Sequence, residues 1–133
     1  MLAVTASEQC LERFEDLKMS KKIAYQIYAI DGKEIKCEEE VKKADAGDQK
    51  EYAEKFIAAL KEKGVRYGCI DYNGKIAFVA WSPDTGKAAN KMKYASSKEG
   101  FVTSLVGVYT KIQATDDGEL TVDILEEKCK KKV

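Results

Sequence analysis

The sequence predicts an α/β (α+β) fold in which helices cover both faces of a mixed sheet. Two turn signals are present, Asp31-Gly32 and Asn73-Gly74. Each separates two segments in which apolar and polar residues alternate as in strands, which is typical of β-hairpins. Helical periodicities precede, separate and follow these hairpins, and this interleaving indicates a sheet packed between helices. The 133 residues, 44% of them hydrophobic, suffice for the core of a single domain over residues 1–133.

The first helix is predicted over residues 7–18. Its apolar stripe recurs at steps of three and consists of Leu11, Phe14 and Leu17. Thr5 and Glu8 have the spacing of a capping box, in which each side chain bonds an unpaired backbone amide of the other. This spacing predicts that Thr5 caps the helix.

The first hairpin is predicted to pair strands over 24–30 and 34–39, and the polar segment 42–47 reads as a loop. A second helix is predicted over 48–63, because its apolar residues recur every four positions and Gly64 follows as a C-terminal cap. The residues at that spacing are Tyr52, Phe56 and Leu60.

The second hairpin is predicted to pair strands over 67–72 and 76–81, with Asn73-Gly74 as a two-residue turn. Pro83 is placed in the first turn of the next helix, where a missing amide proton costs nothing. That helix is predicted from 84 to 97 and on to 106, with Gly100 as a weak point. The remaining elements are a strand over 108–114, a turn over 115–118 and a C-terminal helix over 120–130.

The composition argues against several classes of function. The 23 basic and 23 acidic side chains give a formal net charge of zero, which argues against a general nucleic-acid binder. The chain has no histidine, and therefore lacks the usual general base, the usual partner of a nucleophile and the commonest metal ligand. Enzymes without histidine exist, but this composition makes catalysis less expected, and we expect no metal site and no cofactor.

The cysteines and the hydropathy pattern indicate a cytoplasmic protein with reduced thiols. The four cysteines form no CxxC pair, so a zinc site is not expected. The first acidic residue, Glu8, comes too early for the apolar stretch of a secretory signal. No segment approaches the 18 or so apolar residues of a membrane span.

The helix after Pro83 has two distinctive faces. Four side chains lie within about 60° of one another on an ideal helix and form a basic face with one aromatic: Lys87, Lys91, Tyr94 and Lys98. The other face carries small side chains around one methionine: Ala88, Ala89, Met92, Ala95 and Ser96. Such a face suits either packing on the sheet or docking in a partner's groove, and composition alone favours packing on the sheet.

Three segments around this helix resemble the signature of the actin-depolymerising factor/cofilin family. They are Trp81-Ser82-Pro83-Asp84-Thr85, Lys91-Met92 and Tyr94-Ala95-Ser96-Ser97-Lys98. Upstream, Phe14-Glu15-Asp16-Leu17-Lys18 with Lys21-Lys22 is similar to the end of the family's first helix. The order of the predicted elements agrees with the family over essentially the whole chain.

The resemblance implies a single ADF-homology domain with a mixed five-stranded sheet between helices. It also implies that the chain binds actin monomers and promotes filament depolymerisation, without catalysis, as a monomer in the cytoplasm and at the cytoskeleton. It implies a monomer-binding surface formed by Leu2, Ala3, Val4, Lys87, Lys91, Met92, Ser96 and Ser97. On this reading Met92 enters a hydrophobic cleft of actin, which reverses the preference from composition. Phosphoinositide head groups are a further implied partner, at Lys91 and Lys98.

The chain departs from the family pattern where a filament would be contacted. The implied filament-side residues are Asn73, Gly74, Lys75, Glu126 and Lys130. The family often has a long basic loop before Trp81, whereas this chain has only a two-residue turn, which predicts weak filament binding and weak severing. Leu2 stands where the family usually has a phosphorylatable serine, so inhibition by N-terminal phosphorylation is not expected.

Other functions stay open at this point. Within the family, the alternatives are a full filament-severing cofilin or a coactosin-like protein that binds filaments without severing them. From a different class, a small enzyme without histidine could use Lys87 or Lys91. Co-sedimentation separates these classes, because an enzyme leaves the distribution of actin between monomer and filament unchanged.

Overall fold

A computed structural model describes residues 4–130, which form a mixed sheet with helices on both faces, as predicted. The strands are β1 (Thr5–Ala6), β2 (Ile23–Asp31), β3 (Glu34–Lys42), β4 (Arg66–Tyr72), β5 (Lys75–Trp81) and β6 (Thr110–Ala114). The helices are α1 (Glu8–Ser20), α2 (Lys43–Ala46), α3 (Gln49–Lys63), α4 (Ala88–Ser104) and α5 (Val122–Lys128), with one 3-10 turn at Asp117–Glu119.

The sheet has the strand order β1-β3-β2-β4-β5-β6 and six strands within the described residues, so the prediction of five is wrong. The four central strands pair antiparallel, while β1 and β6 add parallel edges. The unpredicted strand is β1, held on β3 by backbone bonds from Thr5 to Lys33 and from Ser7 to Ile35. Two residues are too few to show the alternation from which a strand is predicted.

The core is divided by the sheet into two layers. One face packs against α1 and α4 and includes Phe14, Tyr67 and Phe101. The opposite face packs against α3 and α5 and includes Phe56 and Leu125. The apolar stripes predicted for the first two helices supply most of these contacts, since Phe14, Leu17, Tyr52, Phe56 and Leu60 are buried. The prediction is wrong for Leu11, which lies at the edge of the stripe of α1 and is 37% exposed. No helix among the described residues is long and apolar enough to span a bilayer.

The second hairpin has the tight turn that its sequence predicts. Asn73 and Gly74 have φ angles of 54° and 77°, and a type I′ turn requires a positive φ at both central positions. Strand pairing begins immediately, at Tyr72 and Lys75. The two strands therefore end in a turn that does not project beyond the sheet.

Three predicted boundaries are wrong at the chain's first helix and first loop. Ser7, not Thr5, caps α1, because the Ser7 Oγ accepts a hydrogen bond from the Cys10 amide at 3.0 Å. Thr5 belongs to β1 and its backbone is committed to the sheet. The segment predicted as a loop over 42–47 contains the short helix α2, and β3 extends to Lys42.

The long helix α4 begins four residues later than predicted. Pro83 lies in a turn before the helix, in which the Gly86 amide donates to the Pro83 carbonyl at 2.9 Å. The helix then runs through Gly100 to Ser104 without a break. The C-terminal helix also starts later, at Val122, because Thr121 caps it.

We predict opposite effects for alanine at two glycines. In Gly68→Ala the new Cβ would lie 2.6 Å from Phe56 Cε1, so it should lower the free energy of unfolding by about 1–3 kcal/mol. Gly100→Ala is the control, because nothing lies within 4 Å of its Cβ position in α4. It should raise stability by about 0.5–1 kcal/mol. Urea denaturation measures both, and equal stability of the two variants would contradict the packing around Gly68.

Candidate functional site

The orientation of α4 is set by Tyr94, the buried residue in the N-terminal half of this helix. Its hydroxyl accepts a hydrogen bond from the Ile30 amide at 2.9 Å, and its carbonyl accepts one from the Tyr67 hydroxyl. The rings of Tyr67 and Tyr94 lie 5.0 Å apart between their centroids. These contacts fix which side of the helix faces the sheet.

Phe101, two turns later, fixes the second half of α4. Its ring packs at 5.2 Å from Tyr67 and edge-on at 5.3 Å from Tyr28, measured between centroids. It also contacts Phe78 at 6.0 Å, so four aromatic rings meet beneath the helix. Aromatic pairs in these tilted arrangements contribute beyond the area they bury. The helix is therefore held at two points along one side.

The opposite side of α4 is open to solvent. The five residues of its small-side-chain face are all exposed: Ala88, Ala89, Met92, Ala95 and Ser96. Met92 stands out because 73% of its surface is accessible. The preference for core packing that composition suggested is therefore wrong. Tyr94, on the other face, takes the place in the core.

The lysines of α4 do not form the basic face with one aromatic that helical spacing suggested, because Tyr94 is buried between them. Lys87 is exposed just before the first turn of the helix. Lys91 is half-buried, and its Nζ lies 3.7 Å from the Asp84 carboxylate. Lys98 donates to the Gln113 side chain at 2.5 Å. The aliphatic part of a lysine side chain can cover apolar surface in this way while its ammonium group remains hydrated.

A groove of about 700 Å³ runs beside the N-terminal half of α4, between the helix and the ends of β4, β5 and β6. The space exists because the side chains on both walls are small: Ala80 from the sheet, and Ala88 and Ala95 from the helix. Lys91 and Lys98 also line it. Arg66 and Glu99 line it as well, so the groove combines an apolar floor with three basic side chains and one carboxylate.

The first residues that the structure describes lie beside the same helix. β1 contacts α4, and Val4, immediately before β1, is half-buried against the core that α1 and α4 share. The structure therefore brings Val4 to the helix that carries Lys91 and Met92. Leu2 and Ala3, predicted to act with Val4, lie outside the described residues.

A second cluster joins the Asn73-Gly74 turn to residues 126–130, the last part of the chain that the structure describes. The Asn73 side chain donates to the Cys129 carbonyl at 2.9 Å, and Lys75 donates to the Lys130 carbonyl at 2.5 Å. The Tyr72 hydroxyl donates to the Glu126 carboxylate at 2.5 Å. The predicted filament-side residues are therefore neighbours in space, although about 50 positions separate them in sequence.

A family model described as "Cofilin/tropomyosin-type actin-binding protein" matches residues 3–130. The chain belongs to this family. It is 36% identical over 139 aligned positions to a cofilin of Cryptococcus neoformans, covering 97% of each chain. It is 34% identical to actin-depolymerizing factor 10 of Arabidopsis thaliana, covering 90% of this chain and 89% of that one. A solved cofilin structure from Streptomyces griseoflavus superposes with a TM-score of 0.82 at 34% identity, covering 96% of this chain and 99% of that one.

Sequence reasoning on this cofilin-family chain missed two contributors to the surface around α4. The sequence pattern predicts Asp84 within the helix, whereas Asp84 lies in the preceding turn and faces Lys91. Gln113 comes from β6 and orients Lys98. No local pattern signals either residue, because each meets its lysine only after the turn and the sheet edge have folded.

We predict that Met92→Ser leaves the stability of this cofilin-family fold unchanged to within about 0.5 kcal/mol, because the side chain is exposed. Tyr94→Phe is the matched comparison on the same helix. It leaves the Ile30 amide without its partner and should cost about 1–3 kcal/mol. Thermal and urea unfolding measure both. A large loss in the Met92 variant would show that this face packs in the core.

Proposed function

We propose that this chain is an actin-binding protein that binds actin monomers and promotes filament depolymerisation and turnover. Membership of the family over residues 3–130 supports the choice of partner, since its relatives carry the names cofilin and actin-depolymerizing factor. The structural observation that carries the proposal is the exposed Met92 face of α4. We further propose a single non-enzymatic domain over 1–133, monomeric and acting in the cytoplasm at the actin cytoskeleton.

The proposed monomer-binding surface has an apolar centre and charged edges. Met92 supplies a flexible side chain suited to an apolar cleft, and the small residues beside it let a partner approach the helix closely. Lys87 and Lys91 flank this centre, with Ser96 and Ser97 one turn further along. On this proposal Val4, with Leu2 and Ala3, extends the surface at the beginning of the chain.

A weak second contact accounts for the proposed preference for monomers. Binding to the side of a filament requires two surfaces that engage two subunits at once, and the affinities of linked contacts multiply. In this chain the turn at Asn73-Gly74 does not project, and Lys75 is already bonded to the Lys130 carbonyl. The alternatives are a full filament-severing cofilin and a coactosin-like filament binder, and both would need a stronger second surface.

Phosphoinositide head groups are a second proposed ligand, at Lys91 and Lys98. Both lysines line the groove beside α4, about 10 Å apart along the helix. Basic side chains that line one groove attract the phosphates of such a head group. Because Lys91 belongs to both proposed surfaces, lipid and actin would compete for it.

The first prediction from this proposal is that Lys91→Ala weakens binding to actin monomers by about 1–3 kcal/mol, as expected for a charged contact within an interface. Lys50→Ala is the control, because this exposed lysine lies on α3, on the opposite face of the sheet. Fluorescence titration of labelled monomers measures both affinities. If the folded Lys91 variant binds as tightly as the unmodified chain, Lys91 is not part of the surface.

A second prediction concerns pH. Burial raises the pKa of Cys10 and of Cys37 to about 12, so these thiols stay neutral near pH 7. With no histidine in the chain, the terminal amino group is the ordinary titrating group there. Monomer affinity should therefore change less than about twofold between about pH 6.5 and about pH 8.

Ionisation of the same two thiols should lower the free energy of unfolding only at alkaline pH. A pKa raised on folding contributes stability below the unfolded value, near 9, and that contribution is lost as pH rises towards the folded value. Urea unfolding from about pH 9 upwards should show this decline. For the binding prediction, a strong pH dependence of monomer affinity near neutrality, with the titration of actin itself controlled, would be the contradicting result.

A third prediction concerns the turn at Asn73-Gly74. A longer loop with two or three basic residues, grafted between Tyr72 and Lys75, should raise filament co-sedimentation, because it adds reach and positive charge. A graft of equal length made of serine and glycine is the control for length alone. Direct imaging of filaments decides between the alternatives. Frequent severing by the unmodified chain at low occupancy would show that the short turn does not limit filament binding.

A further inference from the structure

The dipeptide Asn73-Gly74 has a chemical reactivity of its own, apart from any binding partner. The backbone nitrogen that follows an asparagine can attack the side-chain amide, and glycine hinders this attack least because it has no side chain. Asparagine is accordingly among the thermolabile residue types. The chain's other asparagine, Asn90, precedes Lys91 in α4, where the Lys91 amide is already bonded to the Lys87 carbonyl at 3.0 Å. The sequence therefore favours spontaneous deamidation at Asn73.

Three hydrogen bonds hold Asn73 in the turn. Its backbone amide donates to Gln49 Oε1 at 2.6 Å, and Gln49 Nε2 donates back to Asn73 Oδ1 at 2.9 Å. Asn73 Nδ2 donates to the Cys129 carbonyl at 2.9 Å. A backbone amide can only donate and a backbone carbonyl can only accept, so both ends of this series require the orientation observed. A carboxylate at position 73 could still accept from Gln49, but it could not donate to Cys129.

The conformation of the turn also keeps the reacting atoms apart. Deamidation begins when the Gly74 nitrogen bonds to Asn73 Cγ in a five-membered ring. That ring requires Asn73 Cβ and the Gly74 nitrogen to lie on the same side of the Asn73 Cα–C bond. The φ angles of 54° and 77° are those of a type I′ turn, in which these two atoms lie on opposite sides of that bond. The ring can therefore close only after the turn has opened.

We propose that Asn73 is a deamidation site that the contacts of the turn with α3 and α5 keep unreactive. When these contacts open, the Gly74 nitrogen attacks Asn73 Cγ and ammonia leaves, taking up the Gly74 amide proton through solvent, so that a cyclic imide forms. Water then opens the imide at either of its carbonyls and leaves aspartate or isoaspartate. The net reaction takes up one water and releases one ammonia, and it requires no enzyme and no oxidant. The site is independent of actin.

The reaction changes how α5 is attached to the hairpin. In the aspartate product an oxygen replaces Asn73 Nδ2 opposite the Cys129 carbonyl, so two acceptors face each other where a hydrogen bond existed. The neighbouring bond from Lys75 to the Lys130 carbonyl depends on the same approach of the two segments. Isoaspartate adds one methylene to the backbone of the turn, which displaces the pairing of Tyr72 with Lys75. Deamidation should therefore loosen the end of α5.

The first experiment measures deamidation rates in mildly alkaline buffer by peptide mass spectrometry, which separates the amide, aspartate and isoaspartate forms. The native chain should deamidate at Asn73 at least about tenfold more slowly than the same chain unfolded in urea. Gln49→Ala removes two of the three bonds and should raise the native rate about five- to thirtyfold. Lys50→Ala is the matched control, since this exposed residue lies next to Gln49 on α3. Asn90 is the internal reference and should react equally slowly in all native samples.

Two results of this experiment would overturn the proposal. One is an equal rate at Asn73 in the native and the unfolded chain, and the other is an equal native rate in Gln49→Ala and Lys50→Ala. Circular dichroism checks that both variants are folded. If Gln49→Ala does not fold, the comparison of native and unfolded rates in the unmodified chain still decides.

The second experiment measures the effect of the product on α5. Asn73→Asp supplies the aspartate form directly, and it should keep the hairpin because Asp-Gly also forms type I′ turns. Hydrogen exchange at the amides of Leu125 and Cys129, both bonded within α5, should become about five- to thirtyfold faster. The Tyr52 amide in α3 is the control and should exchange at an unchanged rate. Unchanged exchange in α5 would overturn the proposed coupling between position 73 and this helix.

Discussion

The burial of Tyr94 against Tyr67 is the interaction on which the proposed binding surface depends. A helix lying on a sheet can turn any side towards solvent, and the side chain that it buries decides which side that is. Tyr94 contributes a ring contact and accepts two hydrogen bonds, one at its hydroxyl from the Ile30 amide and one at its carbonyl from the Tyr67 hydroxyl. Because this orientation is fixed, Met92 faces outwards.

The ends of the molecule are tied to one rigid sheet. α4 meets β1 and the groove at one end, and at the other the Asn73-Gly74 turn is bonded to the end of α5. Gln49 at the start of α3 also holds the turn, since its side chain exchanges hydrogen bonds with the Asn73 amide and side chain. The sheet therefore holds the proposed surface on α4 and the proposed filament-side residues at a fixed separation. The chain can contact two actin subunits at once only where the spacing of those subunits matches this separation.

Much of the fold could be predicted from local patterns, and the failures have specific causes. The spacing of Tyr52, Phe56 and Leu60 was enough for α3, and Asn73-Gly74 was enough for the second hairpin, because each pattern depends on neighbours in sequence. The capping box failed because Thr5 pairs with another strand, which no local spacing reveals. The predicted start of α4 is wrong because Pro83 is as compatible with a β-turn before the helix as with the first turn of the helix itself.

The sequence by itself determined the family, the mixed fold and the identity of the helix that carries the candidate site. Those conclusions depend on which residues occur and in what order. Tertiary structure alone decided that Met92 is exposed while Tyr94 is buried, since both faces of that helix are plausible partners for a sheet. It alone placed Tyr109 beside Lys75, 34 positions away in the chain. The physical reason is that exposure and proximity belong to the packing of distant segments, which no local periodicity encodes.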